Sequence, residues 1–292
     1  MIGCPLLLAM LLATGDHATA NPLFQDLQTQ GIAIHGDVRV KLTAPTLGDG
    51  LDEVSQQAIL KKTIGNRYPL EEFVRDSVVA PLVLKFPDVQ RGVVAARGVD
   101  LWFIVHGDLN ALANVDVLER LSTARGHEAT LHVLSASELV SRKLPPPDAE
   151  ATKHVTALGE TNERFVYTVS TILDRVELHH TSRCVLSRTE DSVVIASVID
   201  RRFDSDPDFP NIYHRLEHSE LGESAKGPPQ PYSGAGGYLK ATRLAQPKGA
   251  ILVEYHMIYS EPHDWFNGAN LLQSKLPVLL QSRVRSLRRE AR

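Results

Sequence analysis

The last third of the chain constrains the fold most. Strands with a two-residue period run into one long amphipathic helix. Residues 249–260 read Gly-Ala-Ile-Leu-Val-Glu-Tyr-His-Met-Ile-Tyr-Ser. Ile251, Val253, Tyr255, Met257 and Tyr259 share one face, and Glu254 and His256 fall on the other. Pro262 stops this pattern, and a helical one starts at about Asp264. It places Trp265, Ala269, Leu272, Leu276, Leu279 or Leu280, Val284 and Leu287 at three- and four-residue steps, one apolar stripe. Pro277 lies inside that stripe and is expected to kink the helix. A sheet that ends in a long packed helix points to ligand binding rather than to a catalytic motif.

Upstream, residues 31–43 alternate as a half-buried strand, with Ile32, Ile34, Val38, Val40 and Leu42 on one face. Two helices are expected next. One covers about 52–64 with Gly65-Asn66 as its stop; the other starts near Pro69 and continues across Pro81 to Leu84. Residues 99–106 form a very apolar strand, and 115–121 a helix. Leu144-Pro145-Pro146-Pro147 reads as a hinge or surface crossing, and 148–160 as a polar connector. Strands at 165–172, 175–188 and 192–203 then make an antiparallel meander. Residues 204–235, rich in Asp, Pro, Gly and Ser, read as a long loop of lid type with a short helix at 212–221. Strands at 237–244 and 249–260 close the sheet.

The first twenty residues read as a secretory signal. Leu6 to Leu12 form an apolar run too short to span a bilayer, and Ala18-Thr19-Ala20 offers a cleavage site. The stretch before the run carries no Lys or Arg, and an uncleaved anchor is the alternative. Cys4 precedes the run and cannot serve as a lipoprotein cysteine. The expected location is therefore secreted, in the periplasm. Cleavage leaves Cys184 as the one cysteine, so burial rather than a disulfide must hold the fold.

The order of elements resembles the START-like helix-grip superfamily, also called the polyketide cyclase or SRPBCC superfamily. The resemblance covers residues 30–292 and rests on the strand at 31–43, the two helices, the five later strands and the helix from 264. It implies an α+β fold in which a curved antiparallel sheet wraps the C-terminal helix. Residues 21–292 would form one domain with insertions at about 107–160 and 204–235. It further implies a cavity for an apolar, lipid-like ligand, with Phe165, Tyr167, Tyr255, Met257, Tyr259, Trp265 and Phe266 as candidate wall residues. Apolar residues at these periods also serve simply as core.

Other chemistry is weaker. His127-Glu128 with His132 has the wrong spacing for a zinc helix. His214 and His218 would share a helix face, with no third ligand placed by sequence. Asp204, Asp206 and Asp208 start like a calcium loop but lack its Gly and its terminal Glu. No Gly-x-Ser-x-Gly elbow is present. No metal, cofactor or catalytic residue is therefore expected. A cyclase- or hydrolase-like enzyme with His180 or His256 as base is one alternative. A non-catalytic envelope protein with a filled core is the other. A formal charge of −4 argues against a nucleic-acid partner. The arginines at 283–292 read as a solvated helix end, with peripheral contact to anionic head groups as the second reading.

Overall fold

Period-two alternation dominates from residue 96 onward, and it folds into one large antiparallel sheet. The structure, a computed structural model, describes residues 17–35, 38–87, 89, 96–114, 117, 121, 130–144, 161–218, 224–232, 234–267 and 271–291. The N-terminal elements are α1 (His17–Ala20), α2 (Pro22–Thr29), β1 (Ile32–His35), β2 (Val38–Val40), α3 (Glu53–Ile64) and α4 (Leu70–Phe73). Next come β3 (Leu82–Lys85), β4 (Ala96–His106), α5 (Leu109–Leu112), β5 (Thr130–Val133) and α6 (Ala136–Ser141). The meander is β6 (Thr161–Ile172), β7 (Val176–Arg188) and β8 (Ser192–Ile199). Then follow β9 (Ile212–His218), β10 (Ser224–Lys226), β11 (Gln230–Pro231), β12 (Ala235–Arg243) and β13 (Ala250–Ser260). The described chain closes with α7 (His263–Phe266) and α8 (Leu271–Glu290).

The sheet runs β10-β9-β7-β8-β12-β13-β4-β3, with β6 on the other edge of β7 and β5 beyond it. β7 is long enough to serve two neighbours along one edge. Its residues 176–179 pair with β9 and its residues 182–188 with β8. Asn211 fills the fork: its side chain accepts from the Thr181 amide at 2.8 Å and donates to the Asp200 carbonyl at 2.8 Å.

Both faces are covered. One carries Leu101, Phe103, Val253, Leu239, Ile195 and Leu186 and packs on Leu272, Leu280, Val284 and Leu287 of α8. The sheet thus grips the C-terminal helix. The other face carries Tyr238, Val194 and Ile258 under Leu23, Phe24 and Leu27 of α2, and Trp102 and Leu252 under Leu60, Ile64 and Phe73. Large apolar side chains at alternate positions on both faces explain why β4, β8 and β13 read as near-continuous apolar runs.

Several local expectations change. The strand expected at 31–43 is a hairpin, with Ile32 opposite Val40. Gly31 opens it at φ 78°, where a Cβ would lie 2.6 Å from the Val40 carbonyl, so only glycine fits. The helix from Pro69 ends at Phe73, and Leu82–Lys85 is a strand beside β4. Pro81 has no amide for a helix, and it disfavours helical backbone in the residue before it. The helix expected at 212–221 is strand β9, because the free edge of β7 offers backbone partners that outweigh local preference. The C-terminal helix comes in two pieces: Asn267, in the left-handed region at φ 52°, ends α7. The 52–64 helix forms as expected, capped by Asp52, whose side chain accepts from the Ser55 amide at 2.8 Å. Of the expected helix at 115–121, Val117 and Leu121 are described, and both are buried. The stretch 145–160 lies outside the described residues, as do residues 1–16. His17 does not: it is buried, within 2.8 Å of Ser187 Oγ and 2.7 Å of Ser192 Oγ.

Candidate functional site: a cavity between sheet and terminal helix

A cavity of about 150 Å³ lies between the gripping face of the sheet and α8. Its position follows from side-chain parity. β13 contributes Tyr255, Met257 and Tyr259, and the helical side contributes Trp265, Leu272, Leu276, Leu279 and Leu280. Leu178 and Ile199 add further apolar wall. Tyr232, inside the stretch read as a lid, reaches the same wall. Its ring stacks on Trp265 at 5.4 Å, and Tyr213 meets Trp265 edge-on at 5.6 Å.

Polar groups of the wall come from three neighbouring strands: Thr168 and Ser170 of β6, His180 and Ser182 of β7, and Ser197 of β8. His180 sits beside the fork, where β7 changes partner. Its Nδ1 is buried with no hydrogen-bond partner, and so is Nε1 of Trp265. Burial, then the neighbouring His179, pushes the His180 pKa down to about 4, so the ring is neutral at neutral pH. No Asp, Glu, Lys or Arg lines the cavity among the described residues. Burial, then its hydrogen bond to Asp264, pushes the Tyr213 hydroxyl up to about 12. Burial also raises Tyr232 and Tyr259, so these phenols stay protonated.

Four of the seven candidate wall residues meet here: Tyr255, Met257, Tyr259 and Trp265. Phe266 is buried beside Trp265, with ring centroids 6.3 Å apart, and is core rather than wall. Phe165 and Tyr167 point the other way. In β6 the even residues Thr168 and Ser170 take the cavity side, so Phe165 and Tyr167 take the outer side, and only at the strand's end does an odd residue, Thr171, also reach the cavity. There Phe165 packs with Leu134, Leu139, Leu144 and Phe203, and Tyr167 lies against that cluster. The Tyr167 hydroxyl shares a 2.7 Å hydrogen bond with Nδ1 of His179. Of the polar wall residues, the sequence reading names His180, as the base of the enzyme alternative, but not Thr168, Ser170, Ser182 or Ser197. The signal for Ser182 is its parity with His180 along β7.

His256, the second candidate base, lies on the far face with no exposure. Its Nδ1 is 2.7 Å from Asp100 Oδ1, and its Nε2 is 3.8 Å from Glu254 Oε2, too long for a hydrogen bond. Burial opposes the charged imidazolium, but Asp100 and Glu254 outweigh it and raise the pKa. Glu254 accepts from the Thr46 amide at 2.7 Å, the Leu47 amide at 3.1 Å and Trp102 Nε1 at 3.1 Å. Burial works to raise its pKa; His256 and the Thr46 contacts hold it below the usual carboxylate value. This cluster ties the segment 43–47 over the sheet and does not line the cavity, so it is not a base for a cavity-bound substrate.

The weaker sequence readings resolve as salt bridges and caps. Asp206 and Asp208 both pair with Arg142, at 2.5 and 2.7 Å, so their carboxylates already hold a cation of the protein's own. His132 pairs with Glu138 at 2.9 Å. His214 and His218 lie in a strand, where four residues span roughly 13 Å, too far for one metal ion. Among the described residues no three His, Cys, Asp or Glu could hold a metal ion, and no helix is long and apolar enough to cross a membrane. Cys184 is buried, with Sγ 3.4 Å from Ser197 Oγ.

The arginine-rich end is not uniformly solvated. Arg288 is buried and donates to four backbone carbonyls: Ile104 at 2.8 Å, Val78 at 3.2 Å, Ala80 at 2.7 Å and Pro81 at 3.0 Å. Burial, then Arg285, lowers its pKa to about 10, which leaves it charged at neutral pH.

Fold and site together define an α+β protein in which a large antiparallel sheet grips a C-terminal helix around an apolar, partly polar-walled cavity. No protein-family model matches the chain, and no curated protein does. Among solved structures it is similar to the human StarD13 (DLC2) lipid transfer and protein localization domain. That match has 11% identity and a TM-score of 0.41, over 83% of this chain and 98% of that one. It is also similar to protein Ms6760 from Mycobacterium smegmatis, at 10% identity and a TM-score of 0.28, over 70% of this chain and 96% of that one.

Proposed function

We propose that this chain binds a small apolar molecule between its sheet and its terminal helix. The observation that supports this is the cavity itself, walled by aromatic and leucine side chains and free of charged residues among those described. Its volume, about 150 Å³, limits the guest. Ligand sites for drug-sized molecules start at roughly 300 Å³. A dry cavity of about 150 Å³ holds a benzene-sized ring. The guest is therefore a single-ring molecule or the end of a longer lipid-like one, and a whole lipid would require α8 to move off the sheet.

Native mass spectrometry of the purified full chain, followed by organic extraction, tests this. A co-purifying apolar molecule supports the reading. An empty protein that also takes up no ethylbenzene would mean that the space is a packing void.

Export is part of the same proposal, supported by the run Leu6–Leu12 and the Ala18-Thr19-Ala20 pattern. Cleavage after Ala20 would remove His17 from Ser187 and Ser192 and leave a new amino terminus at Asn21, which is fully buried. N-terminal sequencing decides: a protein starting at Asn21 supports export with cleavage there, and one that retains His17 removes that cleavage site.

A further inference from the structure

We infer that the guest is an uncharged amphiphile, an apolar body with one hydroxyl group, and that His180 and Trp265 recognise the hydroxyl. This rests on the cavity being a binding site. Both rings line the cavity, and each carries a buried nitrogen without a hydrogen-bond partner. A buried polar atom left unpaired costs on the order of 1–3 kcal/mol, so two in one wall call for a partner. The two rings are linked along the cavity wall through shared neighbours. Leu178 is the next residue along the face from His180, Tyr213 pairs with Leu178 across the strands, and Trp265 packs on Tyr213.

The donor inventory selects the chemical class. An indole N–H only donates, so the guest must bring an acceptor. A neutral imidazole donates from one nitrogen and accepts at the other. A hydroxyl group meets either need, since it accepts from an indole and both accepts from and donates to an imidazole. An anionic head does not fit, because no cation lines the wall among the described residues to offset the loss of its hydration. A cationic head meets no carboxylate there for the same reason. Thr168, Ser170 and Ser182 line the same part of the sheet. These side chains complete a neutral polar end to an otherwise apolar space.

The test uses three probes of one shape, 4-ethylphenol, ethylbenzene and 4-ethylbenzoate, titrated into the full chain by calorimetry. We expect 4-ethylphenol to bind about tenfold tighter than ethylbenzene, the worth of about one net hydrogen bond, and 4-ethylbenzoate to bind most weakly. His180→Phe and Trp265→Phe should each shrink the preference for 4-ethylphenol over ethylbenzene. That ratio is read within one protein, so a general loss of stability does not imitate the result. Equal affinity for 4-ethylphenol and ethylbenzene overturns the inference but leaves the binding reading standing. A preference for 4-ethylbenzoate, or a ratio unchanged in both variants, also overturns it. Failure of all three probes to bind overturns the binding reading as well.

Discussion

Arg288 and His256 show how much a single buried charge decides here. Four carbonyls lose their donor if Arg288 is replaced by Met. We expect Arg288→Met to destabilise the protein by about 3–5 kcal/mol in urea unfolding, since it leaves four backbone carbonyls without their donor. Arg288→Lys should recover only part of this, because an ammonium lacks the guanidinium fork. A change below about 1 kcal/mol would show that water replaces the guanidinium at those carbonyls. For His256 the sign follows from the direction of its shift. Its folded pKa is raised above 6.5, so its contribution is full below 6.5 and is lost as pH rises through the folded value. Glu254 is lowered below 4.5, so its contribution is full above 4.5 and is lost as pH falls through its folded value. Stability from this cluster is therefore greatest between those limits. His256→Gln should lower the urea midpoint at about pH 6 and flatten its fall toward about pH 9. An unchanged slope would assign the alkaline loss to another group. The sequence showed Glu254 and His256 on the face away from Tyr255. It could not show Asp100 opposite His256, since that pairing depends on the register of β4 against β13. Nor could it show that Arg288, among several arginines, turns inward.

At the scale of elements, long alternating runs were legible and short ones were not. β6, β7, β12 and β13 form within a few residues of where the alternation places them, while the strand expected at 192–203 stops at Ile199, ahead of a 3-10 turn at Arg201–Phe203. β3 and β9 are strands where the sequence pattern suggests helix, since a few apolar residues near a proline satisfy either period and only a free strand edge decides. Parity also explains the split among the candidate wall residues. Tyr255, Met257 and Tyr259 share a face known to meet the helix, whereas Phe165 and Tyr167 share the outer face of β6, and nothing local says which face of β6 is inner. The fork in β7 gives unequal support to its two neighbours. β9 holds on by four residue pairs with β7, three with β10 and two with β11, whereas β8 has seven with β7 and seven with β12. Hydrogen exchange should follow that difference: amides of 212–218 are expected to exchange well before those of 192–199. Equal protection would mean that the fork opens only with the whole sheet.

At the scale of the molecule, the order of elements was enough to place a helix against a sheet, because one apolar stripe and one large apolar face have few other ways to be buried. The cover on the far face was not anticipated. α2, the β1–β2 hairpin, α3 and α4 enclose what a simple two-layer reading leaves open. With both faces sealed, the terminal helix is the natural part to yield. Arg288 pins its last turn to the backbone of β4 and of residues 78–81, while Leu272, Leu276 and Leu280 nearer its start form the cavity wall. A rod held at one end is a lever. Leu272 lies about 24 Å from Arg288 along the axis, so a tilt of about 5° at the pinned end would carry the free end roughly 2 Å from the sheet. Movement of that size is small at the pivot and large at the cavity, so the same guanidinium that fastens the helix also decides where the chamber can widen.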